Sequence, residues 1–227
     1  MNFNELKKLA KKEGIITKGL SKNTLTIELK NKINGTNSDP YTIVKQLGSK
    51  GKDANVYMVR NSKGKLYARK QFRKNKNISA IKKEVDMQKI AASVKLSPKI
   101  IEYDLNKKYI IMQALDKNLF DSMKKKNGRI SQKYQKEMLK IFKTLDQIGI
   151  FHKDPSPLNF MLDSKDDLYI IDFGMASNIN KQKDGNNPNY DQMTLGMLLK
   201  LRSVCPNVTY KVLEKSLAPY LKQILEN

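Results

Sequence analysis

Three residue types that mark particular protein classes are almost missing from this 227-residue sequence, which contains one Cys, one His and no Trp. A single cysteine, Cys205, cannot form an internal disulfide, which is typical of proteins from reducing compartments. No apolar run approaches the roughly 20 residues that cross a bilayer, and the charged N terminus does not resemble a secretory signal. We therefore expect a cytoplasmic or nuclear protein that is neither secreted nor membrane-spanning.

Negative charge is also scarce, because 44 Lys and Arg residues outnumber 22 Asp and Glu residues and leave a formal net charge of +22 at pH 7. Such a field attracts polyanions, which here means nucleic acid, an anionic membrane surface, or an acidic protein or nucleotide. The densest lysine runs are residues 70–76 and 124–126. The alternative is that the lysines only solvate helix faces, so the charge by itself indicates partners and not chemistry.

Residues 1–35 have the pattern of a small all-α helical hairpin. Asn4 can cap a first helix that ends at Gly14, and Ser21 can cap a second. The apolar positions expected on the buried faces are Leu6, Leu9 and Ala10 in the first helix and Leu25, Ile27 and Leu29 in the second. The hairpin resembles the SAP domain, although its turn is one residue longer than usual. This resemblance implies binding of DNA or RNA. The alternatives are a helical hairpin that docks onto a protein, or an N-terminal extension with no binding role.

Residues 36–40 are turn formers and mark a linker, after which the pattern changes. The expected strands are Tyr41–Leu47, Asn55–Arg60, Leu66–Phe72 and Tyr109–Ala114, and the expected helices are Ile78–Ala92 and Ser131–Ile150. A β-rich part followed by a helix-rich part predicts an α+β fold with two lobes, residues 41–115 and 116–227.

The residues that carry chemistry lie between His152 and Gly174. Asp154 follows the histidine by two positions, Asn159 follows Asp154 by five, and Asp172 opens an Asp-Phe-Gly sequence. Phosphoryl transfer requires metal ions held by hard oxygen ligands and a carboxylate that faces the attacking hydroxyl. Either motif alone arises by chance, but both in this order, with an apolar strand before the second, favour the functional interpretation.

The two motifs match the catalytic loop and the magnesium motif of protein kinases, and residues 41 to about 205 resemble that family. The resemblance implies a two-lobed kinase-like fold that uses ATP with Mg²⁺, or alternatively Mn²⁺. It assigns Asp154 as the catalytic base, Asn159 and Asp172 as metal ligands, and a structural role to His152.

Upstream features that the resemblance requires are also present. Lys70 ends an Ala-Arg-Lys sequence and would bind the α- and β-phosphates, with Glu84 as its ion-pair partner. Gly48 and Gly51 would belong to the glycine-rich loop over the phosphates, although Ala54 stands near the third glycine. The residues expected around adenine are Val56, Ala68, Met112, Gln113, Leu115 and Met161. The alternative is that these apolar residues form a plain core and that the two charged residues are ordinary surface charges.

Two features differ from most Ser/Thr kinases and indicate a smaller group within the kinase family. Ser156 replaces the lysine that most Ser/Thr kinases carry two residues after the catalytic Asp, where it touches the γ-phosphate. Asp191 matches the start of the helix that anchors the catalytic loop, yet only 16 residues separate it from Asp-Phe-Gly and 36 follow it. The C-lobe is therefore truncated, and the chain is similar to Rio-type kinases, to the small kinase of the tRNA threonylcarbamoylation complex, and to compact kinases of large DNA viruses. A viral source would add the virion to the expected locations.

The expected function is ATP-dependent phosphorylation of Ser or Thr in a protein, and the net charge of +22 suits an acidic substrate. The five polar residues assigned to the site are all present, namely Lys70, Glu84, Asp154, Asn159 and Asp172. Their presence favours an active enzyme over a decayed one. Two alternatives stay open. One is a nucleic-acid-binding pseudokinase or ATPase switch, and the other is a small-molecule phosphotransferase of the aminoglycoside or choline type.

Overall fold

The computed structural model describes residues 2–13, 15, 17, 22, 25–26, 29, 39–48, 51–124, 130–205, 210–217 and 221–223. The chain divides into two compact units, one made of residues 1–43 with 60–65 and the other of residues 44–59 with 66–227. Over the described ranges, no helix is both long enough and apolar enough to cross a membrane.

The first unit begins with helix α1, Phe3–Lys12. The predicted cap at Asn4 is wrong, because the helix is capped two residues earlier by Asn2. The Asn2 side chain accepts hydrogen bonds from the amides of Asn4 at 3.0 Å and Glu5 at 2.9 Å, and the Glu5 carboxylate accepts from the Asn2 amide at 2.9 Å. Only Asn2 has a glutamate three residues later, so only Asn2 can form this reciprocal capping box.

A small apolar core joins α1 to the segment that follows. Leu6 and Ala10 are buried together with Leu25 and Leu29, as the helical spacing predicts. The predicted end at Gly14, the turn and cap at residues 18–21, and Ile27 lie outside the described residues. The SAP-like hairpin therefore stays a prediction.

One sheet has five strands in the order β1-β2-β3-β5-β4. The strands are β1 Tyr41–Leu47, β2 Ala54–Asn61, β3 Leu66–Phe72, β4 Ile100–Asp104 and β5 Tyr109–Gln113. Strands β3 and β5 run antiparallel, with Lys70 opposite Ile110. Each strand that the sequence predicts is present, with its ends within one residue of the expected ones.

Helix α2, Ile78–Ser93, connects β3 to β4 and is capped by the Asn77 side chain, which accepts from the amide of Ser79 at 2.9 Å. Ile81 and Val85 on this helix are fully buried in an apolar cluster with residues of β3 and β5. Glu84 is buried on the same helix. A buried carboxylate requires a cationic partner, because an isolated charge in an apolar interior is strongly unfavourable.

The rest of the second unit is rich in helices and short strands. Its strands are β6 Lys117–Asn118, β7 Ile150–Phe151, β8 Phe160–Leu162, β9 Leu168–Ile170 and β10 Ser177–Asn178. Its helices are α3 Leu119–Lys124, α4 Gln132–Gln147, α5 Lys181–Asp184, α6 Thr194–Val204 and α7 Lys211–Lys215. Two 3₁₀ turns, Pro157–Asn159 and Phe173–Met175, and a π turn, Asn189–Met193, complete it. The α+β fold class is confirmed.

Helix α4 is the centre of the largest apolar core. Ser131 caps the helix, and the side chains of Met138, Ile141, Phe142 and Leu145 are buried at the spacing that the sequence predicts. The short strands pair around this core as a three-stranded sheet in the order β6-β8-β9 and a two-stranded sheet of β10 and β7. The two loops that carry the candidate site leave from these short strands.

The loop after β7 is held by the fully buried side chain of Asn189. Its Oδ1 accepts the amide of His152 at 3.0 Å, and its Nδ2 donates to the carbonyl of Ile150 at 2.6 Å and to the carboxylate of Asp146 at 2.7 Å. The sequence predicts Asp191 at the start of the anchoring helix, but Asn189 makes these hydrogen bonds. The chain enters α6 through a π turn, Asn189–Met193, which contains both Asn189 and Asp191.

We predict that Asn189→Ala lowers the free energy of unfolding by about 2–4 kcal/mol, because it leaves a buried N–H and a buried carbonyl without partners. Urea unfolding followed by circular dichroism measures the change. The matched control is Asn186→Ala, an exposed asparagine nearby, which should change stability by less than about 0.5 kcal/mol. Equal effects of the two substitutions would contradict the anchoring role of Asn189.

Candidate active site

The two sequence motifs are joined through Ile171, the residue before Asp172. The Ile171 amide donates to the carbonyl of Asn159 at 2.9 Å. The Ile171 carbonyl accepts from Nε2 of His152 at 3.0 Å, so Nε2 carries the proton. The loop that holds Asp154 and the turn that holds Asp172 are therefore fixed to each other by one backbone hydrogen bond and one hydrogen bond from the His152 side chain.

Lys70 bridges two carboxylates. Its Nζ lies 2.5 Å from Oε1 of Glu84 and 2.8 Å from Oδ1 of Asp172. The Glu84 side chain is 2% exposed, whereas the Asp172 side chain is 49% exposed. The structure thus brings together residues of β3, α2 and the turn after β9, and the burial of Glu84 excludes the alternative that Lys70 and Glu84 are ordinary surface charges.

The pKa values of these three groups reflect the arrangement. Burial acts to lower the pKa of Lys70, but the charges of Glu84 and Asp172 together raise it above its ordinary value. Burial raises the pKa of the Glu84 carboxyl, since the single ammonium offsets only part of its desolvation. Burial also opposes ionisation of Asp172, but Lys70 and the Gly174 amide outweigh it and lower the pKa. Lys70 and Asp172 are therefore charged at neutral pH.

Asp154 and Asn159 form a second pair of site residues. Nδ2 of Asn159 donates to the Asp154 carboxylate at 2.9 Å and to the Asp154 carbonyl at 3.2 Å. The amide group of Asn159 thus fixes the Asp154 side chain, and its Oδ1 is the atom that would face a metal ion. The carboxylate keeps its other oxygen for a second partner.

Asp172 and Asn159 are the residues that would hold Mg²⁺, which prefers oxygen ligands. Asp172 has φ 68° and ψ 70°, a left-handed conformation that is unfavourable for a residue other than glycine. A Cβ at Gly174 would lie 3.3 Å from both Asp172 Oδ1 and Glu84 Oε2, so a side chain there would crowd the two carboxylates. Among the described residues, no group of three or more His, Cys, Asp and Glu is arranged so that it could hold a metal ion.

The predicted glycine-rich loop connects β1 and β2. Gly48 has φ +67°, and a Cβ at Gly51 would lie 2.4 Å from the carbonyl oxygen of Ala54, so both positions favour glycine. Ala54, at the expected third glycine, is buried in the cluster of β3 and α2. Residues 49–50 lie outside the described ranges. The contact of this loop with phosphates stays a prediction.

The same loop is tied to the segment after β3. The Arg73 guanidinium donates to the Gly51 carbonyl at 3.0 Å, and the Arg73 amide donates to the Asp53 carbonyl at 2.9 Å. Asp53 also pairs with Lys76 at 2.6 Å, and this hydrogen bond lowers the pKa of the Asp53 carboxyl. The described part of the loop is thus tied to the segment after β3 by two hydrogen bonds and one ion pair.

The residues predicted around adenine are only partly brought together. Those that share one apolar cluster are Val56, Ala68 and Met112. The Gln113 amide donates to the carbonyl of Lys99 at 2.9 Å, so only its carbonyl is left for a purine. Leu115 is buried after β5, and Met161 is half-buried in β8, outside that cluster. An adenine site formed by all six residues stays a prediction.

His152, the only histidine of the chain, is fully buried beneath the site. Its ring lies edge-on to Phe173, with ring centroids 5.0 Å apart. Burial lowers the pKa of the imidazole below its ordinary value of 6.5, although its bond to the Ile171 carbonyl and the charges of Asp154 and Asp172 act in the other direction. The structural role that the kinase resemblance implies for His152 agrees with this packing.

We predict that stability falls as the pH decreases below about 6.5, because the unfolded imidazole binds a proton that the folded one excludes. The decrease should approach about 1.4 kcal/mol per pH unit between the unfolded and the folded pKa. Urea unfolding of the wild type and of His152→Gln between pH 5 and 7.5 measures it. The free energy of unfolding of His152→Gln should not show this decrease with falling pH. Parallel pH profiles of the wild type and the variant would contradict the prediction.

Sequence reasoning missed Lys200 beside Asp154 and the capping role of Ser156. Nζ of Lys200 lies 3.2 Å from Oδ1 of Asp154. The Ser156 hydroxyl accepts the amide of Leu158 at 3.4 Å and caps the turn that carries Asn159. A serine before proline is a readable capping signal. Lys200 offers no such signal, since one exposed lysine among 44 Lys and Arg residues has no distinguishing pattern.

The protein kinase domain family matches residues 41–197, which is more than half of the chain. The chain therefore belongs to the protein kinase domain family. The matched range includes every predicted site residue from Gly48 to Asp172, and it ends within α6.

Three curated proteins illustrate the similarity. The serine/threonine-protein kinase MPS1 of Saccharomyces cerevisiae is 29% identical over 68% of this chain and 22% of its own length. Calcium-dependent protein kinase 9 of Arabidopsis thaliana is 30% identical over 63% of this chain and 29% of its own length. The dual specificity protein kinase TTK of Mus musculus is 29% identical over 60% of this chain and 17% of its own length. The matches thus cover less than a third of each relative.

Proposed function

We propose that the protein is an ATP-dependent kinase that transfers the γ-phosphoryl group to Ser or Thr of a protein. The observation that carries the proposal is Lys70 held between the buried Glu84 and Asp172. Keeping Glu84 buried has a large desolvation cost, which a decayed site would have no reason to maintain. The names of the yeast and plant relatives, both protein kinases, support the same activity.

Each polar residue has a separate task in this mechanism. The Lys70 ammonium, fixed by Glu84, donates to oxygens of the nucleotide phosphates, and the Asp154 carboxylate orients the acceptor hydroxyl and accepts its proton. Asn159 fixes the Asp154 side chain through its Nδ2 and would hold Mg²⁺ together with Asp172. Mg²⁺, when bound, neutralises charge on the phosphate oxygens.

The substrate that suits this chain best is an acidic protein, because the net charge is +22 and electrostatic complementarity raises the rate of encounter. Ser156 and the 16 residues between Gly174 and Asp191 support grouping the chain with compact kinases such as the Rio type. A peptide-array phosphorylation profile tests the acceptor. Phosphorylation of acidic peptides supports the proposal, and transfer to an aminoglycoside or choline alone would favour a small-molecule phosphotransferase.

We predict that Asp154→Asn lowers the rate of ³²P transfer from Mg²⁺–ATP by about 10²–10⁴-fold, because it removes the proton acceptor. Asp172→Ala should abolish the Mg²⁺-dependent transfer. The control is Asp167→Asn, an exposed carboxylate at the β8–β9 turn, which should keep wild-type activity. Equal transfer by wild type and Asp172→Ala would show that the signal comes from another enzyme and would overturn the proposed function.

We also propose that the N-terminal unit tethers the kinase to DNA or RNA. Helix α1 supports this, because Lys8, Lys11 and Lys12 are exposed while Leu6 and Ala10 are buried. The apolar face of the helix is thus engaged in its own core, and its polar face is free to contact phosphates. Tethering would raise the effective concentration of substrates bound to the same nucleic acid.

If the tether operates, changing Lys8, Lys11 and Lys12 to Gln should weaken binding to a DNA or RNA duplex and should reduce the slope of log K against log salt by about 2–3. Fluorescence anisotropy between 50 and 200 mM salt measures both quantities for the two nucleic acids. The matched control neutralises three exposed lysines elsewhere, Lys181, Lys183 and Lys211. A larger effect of the control would place binding on another surface, and binding without salt dependence would contradict the electrostatic basis.

A further inference from the structure

Lys200 forms an ion pair with the carboxylate assigned as catalytic base. Its Nζ lies 3.2 Å from Oδ1 of Asp154, while Asn159 binds the other oxygen, Oδ2, at 2.9 Å. In the part of the chain that the structure describes, no other cationic side chain makes an ion pair with Asp154. The Lys200 side chain is 48% exposed and that of Asp154 is 27% exposed, so both groups are open to a ligand.

The close approach of helix α6 to the catalytic loop explains how Lys200 reaches this carboxylate. A Cβ at Gly196 would lie 2.5 Å from Cγ of Pro155, so only glycine allows the helix to pack at this distance. Lys200 follows Gly196 by four residues and lies on the same face of the helix. The contact at Pro155 therefore places the next turn of the helix beside Asp154.

The catalytic loop itself supplies no cation at this point. Ser156 caps the turn that presents Asn159. Lys153, which precedes Asp154, has φ 67° and places its Nζ over the Phe151 ring, 5.4 Å from the centroid. Lys70 is bound by Glu84 and Asp172. Of these lysines, Lys200 alone contacts Asp154.

Phosphoryl transfer needs positive charge beside the γ-phosphate, on the side where the acceptor hydroxyl and Asp154 would meet it. Charge in the transition state is spread over the three equatorial oxygens of the transferred group, and the acceptor hydroxyl must lie about 3–3.5 Å from the phosphorus atom to react. Asp154 would accept the proton of that hydroxyl, so a cation in contact with Asp154 lies on the side of the site where the acceptor would meet the γ-phosphate.

We propose that Lys200 is the lysine that contacts the γ-phosphate, supplied from helix α6 and not from the catalytic loop. This inference rests on the proposed kinase function. In the step itself, the bond from phosphorus to the β,γ-bridging oxygen breaks, the bond from phosphorus to the acceptor oxygen forms, and the hydroxyl proton moves to Asp154. Lys200 keeps its proton throughout and donates hydrogen bonds to the phosphoryl oxygens.

The test compares nucleotides with and without a γ-phosphate. Titration calorimetry of the full chain measures binding of Mg²⁺–ADP and of the non-hydrolysable analogue Mg²⁺–AMPPNP to wild type, Lys200→Met and Lys200→Arg. A charge-assisted hydrogen bond predicts that Lys200→Met weakens AMPPNP binding about 10-fold or more while ADP binding changes less than about twofold. Lys200→Arg keeps the charge and should retain most of the AMPPNP affinity. The control is Lys140→Met, an exposed lysine of α4, which should change neither affinity.

Equal loss of both nucleotides, or no loss of either, would overturn the role of Lys200. A phosphotransfer assay on the same variants separates this outcome from failure of the proposed function. If the wild type transfers phosphate and Lys200→Met lowers kcat about 10-fold or more in addition to the selective loss of AMPPNP binding, the inference is supported. If the wild type transfers phosphate and Lys200→Met is unchanged, only the inference fails. If the wild type binds AMPPNP but transfers no phosphate, the proposed kinase function is overturned. In that case the ratio of the AMPPNP affinity to the ADP affinity, compared between wild type and Lys200→Met, still decides whether Lys200 contacts the γ-phosphate.

Discussion

The active-site arrangement depends on a single ammonium group, Nζ of Lys70, which contacts carboxylates from two distant parts of the chain. Glu84 can be buried in α2 only because this cation neutralises it, and Asp172 holds a left-handed backbone conformation while it faces the same cation. The sheet, the helix and the turn after β9 thus meet through this ion-pair network in addition to apolar packing. Removing the ammonium would leave Glu84, a buried carboxylate, and Asp172 without a cation between them.

The sequence predicts much of this fold because its strongest signals are local. Apolar spacing predicted the strand ends within one residue and placed the start of α4 at Ser131, one residue before its first helical residue. The predicted cap of α1 failed because two neighbouring asparagines compete. Asn2 and not Asn4 caps α1, because only Asn2 completes the box with Glu5. The hydrogen bonds of Asn189 were not predicted, because the π turn Asn189–Met193 has no signature in the apolar pattern. The sequence pattern does not distinguish Lys200 from the other lysines, and only the structure shows that it contacts Asp154.

The compactness of the helix-rich part has a chemical consequence at the site. The 16 residues after Gly174 end at Tyr190, and the π turn Asn189–Met193 leads from there into α6, whose Gly196 packs against Pro155 of the catalytic loop. One helix therefore supports the loop through a glycine and reaches its carboxylate through a lysine. Asp154 is contacted by Lys200, and Asp172 shares Lys70 with Glu84. Two lysines thus contact three carboxylates of the site, within a chain that is strongly basic as a whole.

The contacts between the glycine-rich loop and the segment after β3 bear on how nucleotide would enter and leave. Lifting the loop would break the hydrogen bond from Arg73 to Gly51 and the exposed ion pair between Asp53 and Lys76. Each contact is modest alone, because exposed ion pairs contribute about 0.2–1 kcal/mol. Together they hold the described part of the loop against the segment that follows β3. Entry or release of a nucleotide that lifts the loop would therefore have to break both contacts.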